Sequence, residues 1–315
     1  MKIRQWILIL FGASLLALTI RIFLFDTIRV ASNAMSDSQQ AGDRLLVEKW
    51  SLGARMPISM GIPFVSDSLF GKKSYLSLGE TPMRCLGFGA IKRNDLLAYN
   101  DPTTTQNIDR SPIQLSRCVG LPGEHFILKK GKTIINGKKV NRPLDVSFCY
   151  SYPLSNQKTL LQVIQACKFN HPVYQNKDSG FVYLTRHEWL CLYRIKNQID
   201  LGLKLRFSSF DEMKIRIPAK GTKIEMNDST FRLYGKLINR YEGVTLSQDT
   251  AGNVLKNGRK IRFHTFKENY YLLLNDHQGY LNDSRSSGLL PERFIIGKAW
   301  MLLFSPSRKR FLEKI

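Results

Sequence analysis

The sequence predicts a mainly β protein with an inserted α+β lobe and one N-terminal transmembrane helix. Three observations predict this. Residues 6–20 are apolar or small except for Ser14 and Thr19. Short apolar or alternating runs bounded by Gly, Pro and Asp recur at 44–49, 95–99, 114–119 and 126–129, the pattern of strands. Between these and the C-terminal part, helix caps precede apolar residues at helical spacing.

The apolar segment comes first. A helix over residues 6–25 is about 30 Å long, enough to cross a bilayer. Arg21 interrupts it; at mid-bilayer it would cost roughly 2.5–3.5 kcal/mol, but near the end of the span its side chain can reach the interface. Lys2 and Arg4 precede the span and Arg21 and Arg29 follow it, so charge orients it only weakly. A cleaved signal peptide ending at Ser32-Asn33-Ala34 and a buried core helix are the competing assignments. Arg21, Asp26 and Arg29, lying between the apolar run and that cleavage site, weigh against the first. The expectation is an uncleaved anchor over residues 1–26.

Beyond the anchor, Asn136-Gly137 and Asn257-Gly258 are hairpin signals. Thr185-x-x-Glu188 is a capping box ahead of Trp189, Leu190 and Leu192. Asn227-Asp228-Ser229 caps a run with Phe231, Tyr234, Leu237, Ile238 and Tyr241 on one face, ended by Gly243. The expected organisation is a β domain from 27–143 and 256–315, with 144–255 inserted as the mixed lobe.

Composition narrows the class. Over 315 residues, 43% hydrophobic and 23% charged content is ordinary for a folded protein. The charge is not: 47 Lys+Arg against 25 Asp+Glu leaves +22, a surface that attracts polyanions. The basic residues are spread along the chain, with short clusters at Lys129-Lys130, Lys138-Lys139 and Arg308-Lys309-Arg310, and no helix-turn-helix, RNP or zinc-finger pattern focuses them. This weighs against nucleic acid as a partner. Cys85, Cys118, Cys149, Cys167 and Cys191 form no CxxC pair, so no zinc or redox motif is supported and their pairing stays open. The histidines show no metal-ligand spacing, and neither a metal nor a cofactor is expected.

Three boxes carry the chemistry. Ala31-Ser32-Asn33-Ala34-Met35 stands ahead of Gly42-Asp43-Arg44-Leu45-Leu46-Val47. Leu115-Ser116-Arg117-Cys118-Val119 runs into Gly120-Leu121-Pro122-Gly123-Glu124, a strand ending in a tight turn. Asn275-Asp276-His277-Gln278 is followed by Asp283-Ser284-Arg285 and Gly288. On an extended segment Asp283 and Arg285 would point to one side; alone, this reads as a surface turn with a local ion pair.

In this order, after an anchor, the boxes resemble the type I signal peptidase family, the Ser/Lys serine endopeptidases of peptidase family S26. The resemblance covers the anchor, 21–49, 91–137 and 270–304, about half the chain; the middle lobe carries no usable motif. It implies that family's β-rich catalytic-type domain, held by a single span on the outer, extracytoplasmic face of a bacterial-type cytoplasmic membrane. It also implies roles. The residue before the methionine is the family's nucleophilic serine, and here it is Ala34. The residue before the arginine of the second box is the general-base lysine, and here it is Ser116. The serine two before the nucleophile assists the oxyanion hole and is kept as Ser32. Met35, Asp276, Asp283 and Arg285 are kept as groove or scaffold positions. Asn275 replaces a glycine, His277 an asparagine, Gln278 an arginine and Leu281 the serine that supports the lysine.

A serine is a poor nucleophile without an adjacent base, and a lysine acts as base only when burial lowers its pKa. Removing either partner of such a unit costs roughly 10⁴–10⁶ in rate, as in the Ser/His/Asp enzymes. The expectation is therefore a catalytically inactive, signal-peptidase-like membrane protein. It would bind signal peptides or preproteins, with Met35, Leu45, Leu46 and Val47 lining a strand-edge groove, or would modulate an active paralogue. An alternative is an active signal peptidase with a rerouted nucleophile. Ser32 is the nearest candidate, Ser36 and Ser38 flank the gap, and His277, otherwise a surface-loop histidine, is the titratable base available to it; Arg117 is permanently charged and cannot serve as base. A second alternative is a cationic envelope-binding protein.

Overall fold

The computed structural model describes residues 3–35, 38–61, 68–69, 72–73, 75–77, 79, 82–104, 107–169, 172–195, 201–206 and 212–315. It is β-rich, and its first element, α1 (Ile3–Phe23), is an exposed apolar helix with mean hydropathy 2.2, long enough to cross a membrane. The chain separates into two compact units, residues 1–32, 40–115 and 293–315, and residues 33–39 and 116–292. This division differs from the sequence-based boundaries near 143 and 255.

In the first unit Phe25–Arg29 pairs with Arg44–Glu48, which pairs with Ile295–Ser305, which in turn pairs with Leu96–Asn100; all are antiparallel. Arg310–Lys314 folds back onto Ile295–Ser305. Alternation sends Leu45 and Val47 fully into the core with Leu97, Ile295 and Leu302, while Leu46 is half-buried on the other face. Leu45 and Val47 are thus core side chains and not groove lining. Gly297 lets two strands approach, since a Cβ there would lie 2.2 Å from the Glu48 carbonyl oxygen. At the foot of α1, Lys49 Nζ reaches Asp26 at 2.8 Å and the Arg21 carbonyl at 3.1 Å, and Arg21 Nε lies 3.4 Å from Asp26. Arg21 at the end of the span is therefore paired with a carboxylate.

In the second unit the C-terminal part of Ile113–Gly120 pairs with Tyr270–Leu274, which pairs with Leu290–Pro291. The Leu121–Glu124 turn places Gly123 at φ 88°, the left-handed position that Pro-Gly supplies, and the Glu124 carboxylate accepts the Leu121 N–H at 2.8 Å. One four-stranded sheet runs Lys138–Val140, Lys132–Ile135, His125–Lys129, Met213–Arg216; another runs Val173–Gln175, Gly180–Thr185, Ser147–Tyr152, Lys204–Leu205. The second sheet has its own core of Tyr152, Leu160, Val182, Leu184 and Leu192.

Both hairpin signals form type I′ turns, with Asn136 and Gly137 at φ 49° and 79°, and Asn257 and Gly258 at 49° and 81°. Helix α2 (Gln157–Ala166), unanticipated from the sequence, has no side-chain cap and is held by buried Leu160, Val163 and Ile164. Helix α3 (Arg186–Ile195) starts at the Thr185/Glu188 capping box, each residue bonding the other's backbone N–H. Helix α4 (Asp228–Tyr241) is capped by Asn227 and Thr230 and buries Tyr234, Leu237, Ile238 and Tyr241. No disulfide joins any two of the five cysteines, all of which lie among the described residues.

Candidate functional site

The second unit gathers Ala34, Met35, Ser116, Asp276, Asp283 and Arg285. Residues Asn33–Met35 form a short 3-10 turn in which Ala34 and Met35 are buried. The Ala34 carbonyl accepts the His277 N–H at 3.1 Å, and Met35 Sδ accepts the Asp276 N–H at 3.3 Å. Met35 is 1% exposed, so its side chain belongs to the packing beneath the turn rather than to an open groove. Ser32 lies just before the turn and is half-buried. Ser36 lies outside the described residues.

Asp276 organises the centre. Its buried carboxylate accepts two bonds from Arg117, Nε at 2.7 Å and Nη2 at 2.5 Å, and a third from the Ser38 hydroxyl at 2.8 Å. A fork-to-fork pair of this kind fixes orientation as well as charge. Its main-chain oxygen takes the Ser147 N–H at 3.0 Å.

Beside it, the Ser116 hydroxyl donates to Asn275 Oδ1 at 2.7 Å, with both residues 1% exposed. Asn275 Nδ2 donates to the carbonyls of Tyr280 (3.0 Å) and Asn282 (3.3 Å), and its main-chain N–H to Asp283 at 2.9 Å. An amide neither takes nor supplies a proton at neutral pH. Arg142 Nη2 reaches the Asn275 carbonyl at 3.4 Å. Burial lowers the Arg142 guanidinium to about 10, against the opposing pull of Asp276 and with repulsion from Arg285 and Arg117. It stays charged at neutral pH.

Asp283 and Arg285 are not a surface pair. Asp283 is the N-cap of the short helix α5 (Ser284–Ser287), accepting the Arg285 N–H at 2.9 Å. Its carboxylate meets the Arg285 guanidinium at 2.8 Å, with side chains 0% and 2% exposed. The guanidinium also holds the carbonyls of Gln278 and Tyr280, both at 3.1 Å. The cap turns the chain into a helix, so the expected extended segment does not form.

His277 is buried rather than a surface-loop residue. Its ring packs on Tyr183 at 4.6 Å and edge-on to Tyr280 at 5.1 Å, and Nδ1 accepts the Gly279 N–H at 3.2 Å. Leu281 is half-buried, and its carbonyl takes the Asp283 N–H at 2.8 Å and the Ser286 hydroxyl.

A profile described as signal peptidase, peptidase S26, matches residues 3–177, more than half of the chain, including the apolar helix, Ala34 and Ser116. The chain belongs to the signal peptidase S26 family. Signal peptidase I of Buchnera aphidicola subsp. Baizongia pistaciae is 23% identical over 300 residues, covering 93% of this chain and 75% of that one.

In this S26 chain, the roles of Asn275, Ser38 and Arg142 escaped sequence reasoning. The one available signal for Asn275 was that it and Ser116 both depart from the pattern the resemblance implies; nothing local tied them together, because 159 positions separate them. Ser38 to Asp276 spans 238 positions and had no signal.

Proposed function

We propose that this chain is a signal-peptidase-like membrane protein without proteolytic activity, anchored by α1 with its folded units on the extracytoplasmic side. In this reading it binds signal peptides or preproteins without cutting them, or modulates an active paralogue. The observation that carries it is the Ser116–Asn275 hydrogen bond. At the position of the family's general base stands a buried hydroxyl whose proton is donated to an amide oxygen, and Ala34 stands at the nucleophile position. A methyl group cannot attack a carbonyl, and neither Ser116 nor Asn275 can act as base. The Asp276/Arg117 and Asp283/Arg285 pairs support a retained scaffold around that altered centre.

The alternative with an observation behind it is a rerouted nucleophile, because the Ser38 hydroxyl lies 2.8 Å from a carboxylate oxygen. Against it, Arg117 already binds both oxygens of that carboxylate.

The test is the full chain in nanodiscs, mixed with a preprotein and followed by mass spectrometry and by retention of the preprotein. The expected result is saturable retention with no cleavage. Cleavage at the signal junction that disappears in Ser38→Ala or Ser32→Ala would overturn the proposal in favour of an active peptidase.

A further inference from the structure

Apart from the residues around Asp276, the second unit contains a cavity of about 370 Å³. One wall comes from the Lys130–Arg142 hairpin region, the other from Phe148, Tyr150, Trp189, Leu203 and Leu205 of the neighbouring sheet and helix α3. The volume lies in the range of small-molecule sites.

Its electrostatics are one-sided. Lys130, Lys132, Lys139, Arg142 and Arg186 line it, and none of the described lining residues is an Asp or Glu. Two polar atoms that belong to lining residues, Arg142 Nε and Thr133 Oγ1, are buried without a hydrogen-bond partner. Thr133 as a whole is 1% exposed. Each such orphan is destabilising, so native proteins retain them where something else supplies the bond. Asp276, the acid with the strongest pull on Arg142, gives little relief, because its carboxylate is already held by Arg117. An anion accepting from Arg142 Nε and Thr133 Oγ1 would satisfy both atoms and balance the excess charge.

The opposite wall sets the rest of the ligand. Trp189 stacks between Tyr150 (6.3 Å, 14° between planes) and Tyr193 (5.1 Å, 24°). Phe148, Leu203 and Leu205 extend this surface, and Leu205 and Arg186 are exposed. A wall of this kind takes a flat or branched apolar body, not a second charge. We propose that this cavity binds a small amphipathic anion, its phosphate or carboxylate head on Arg142 and Thr133 and its apolar body against Trp189 and Phe148. The site touches the residues of the proposed function through Arg142, whose Nη2 reaches the Asn275 carbonyl at 3.4 Å, but the binding it proposes does not require that reading.

The test is isothermal titration calorimetry of the full chain in nanodiscs with three probes: 1-naphthyl phosphate, 1-naphthol and inorganic phosphate. The expected result is saturable binding of naphthyl phosphate at least tenfold tighter than either of the others. Arg142→Gln is expected to weaken it at least tenfold, in line with loss of a charge-assisted bond. If Arg142→Gln fails to fold, the surface variant Arg186→Gln/Lys132→Gln is expected to weaken it about tenfold by removing two cations. Naphthol binding equally well would reduce the site to an apolar cavity and overturn the proposal. So would inorganic phosphate binding equally well, no saturable binding of naphthyl phosphate, or wild-type affinity in the variants that fold.

Discussion

Ser116 and Asn275, 159 residues apart, meet through a 2.7 Å hydrogen bond from the serine hydroxyl to the amide oxygen, with both side chains sealed from water. The resemblance to Ser/Lys peptidases assigns these two positions a lysine and a glycine. The pair puts a neutral, mutually satisfied contact where that resemblance implies an amine beside a residue with no side chain. The two departures compensate each other: a serine there without Asn275 loses its acceptor, and an asparagine there without Ser116 loses a donor.

Removing both sides of this contact should therefore cost less than the two single losses added together. Ser116→Ala leaves Asn275 Oδ1 buried without that donor, expected to cost about 1–3 kcal/mol. In Ser116→Ala/Asn275→Gly the loss should fall short of the sum of the single variants. Thermal unfolding of the four proteins as a double-mutant cycle measures this, and additive effects would refute the coupling.

Restoring activity should also depend on Asn275. Ala34→Ser with Ser116→Lys reintroduces a nucleophile and an amine, but the Asn275 amide occupies the hydrogen-bonding position next to residue 116. Adding Asn275→Gly, with Leu281→Ser as support, is expected to raise preprotein cleavage at least tenfold over the double variant. Equal cleavage with and without Asn275→Gly, read from product bands over time, would count against this account.

Arg117 and Asp276 form a buried pair in which each carries the other's charge. Asp276→Asn leaves the guanidinium without its counter-charge, an expected loss of about 3–5 kcal/mol. Arg117→Met/Asp276→Leu should recover much of it, since an apolar pair of similar volume replaces buried ions at little cost. Denaturation in guanidinium chloride compares them; a double variant no more stable than Asp276→Asn alone would be the contrary result.

His264 makes stability depend on pH. Burial lowers its pKa below the ordinary 6.5, with Glu242 4.0 Å away opposing the shift and Lys256 and Lys267 adding to it. As pH falls the unfolded chain takes up this proton first, so the contribution is fully present above about pH 6.5 and is lost as pH drops below it. The unfolding midpoint should fall between pH 7.5 and 5, and His264→Gln should flatten that decline. Identical slopes would exclude His264 as the cause.

What could be read from the chain alone is what neighbours in sequence decide. The apolar span rests on one continuous stretch of chain, and the Asn136-Gly137 and Asn257-Gly258 turns, the Leu-Pro-Gly turn and the caps at Thr185 and Asn227 each rest on residues within four positions of one another. Their backbone preferences act before any tertiary contact forms. Helix α2 escaped because its signal is three buried apolar residues without a cap. Asp283 and Arg285 were found as a pair, yet their burial and the helix they start depend on what packs over them. Tertiary structure alone decided that Ser38 and Arg117 converge on Asp276, that Met35 packs beneath its backbone, and that Ser116 finds Asn275. Spacings of 159 to 241 residues leave no local trace, because such contacts are set by the sheet register that brings distant strands together and by the cost of burying any polar group left without a partner.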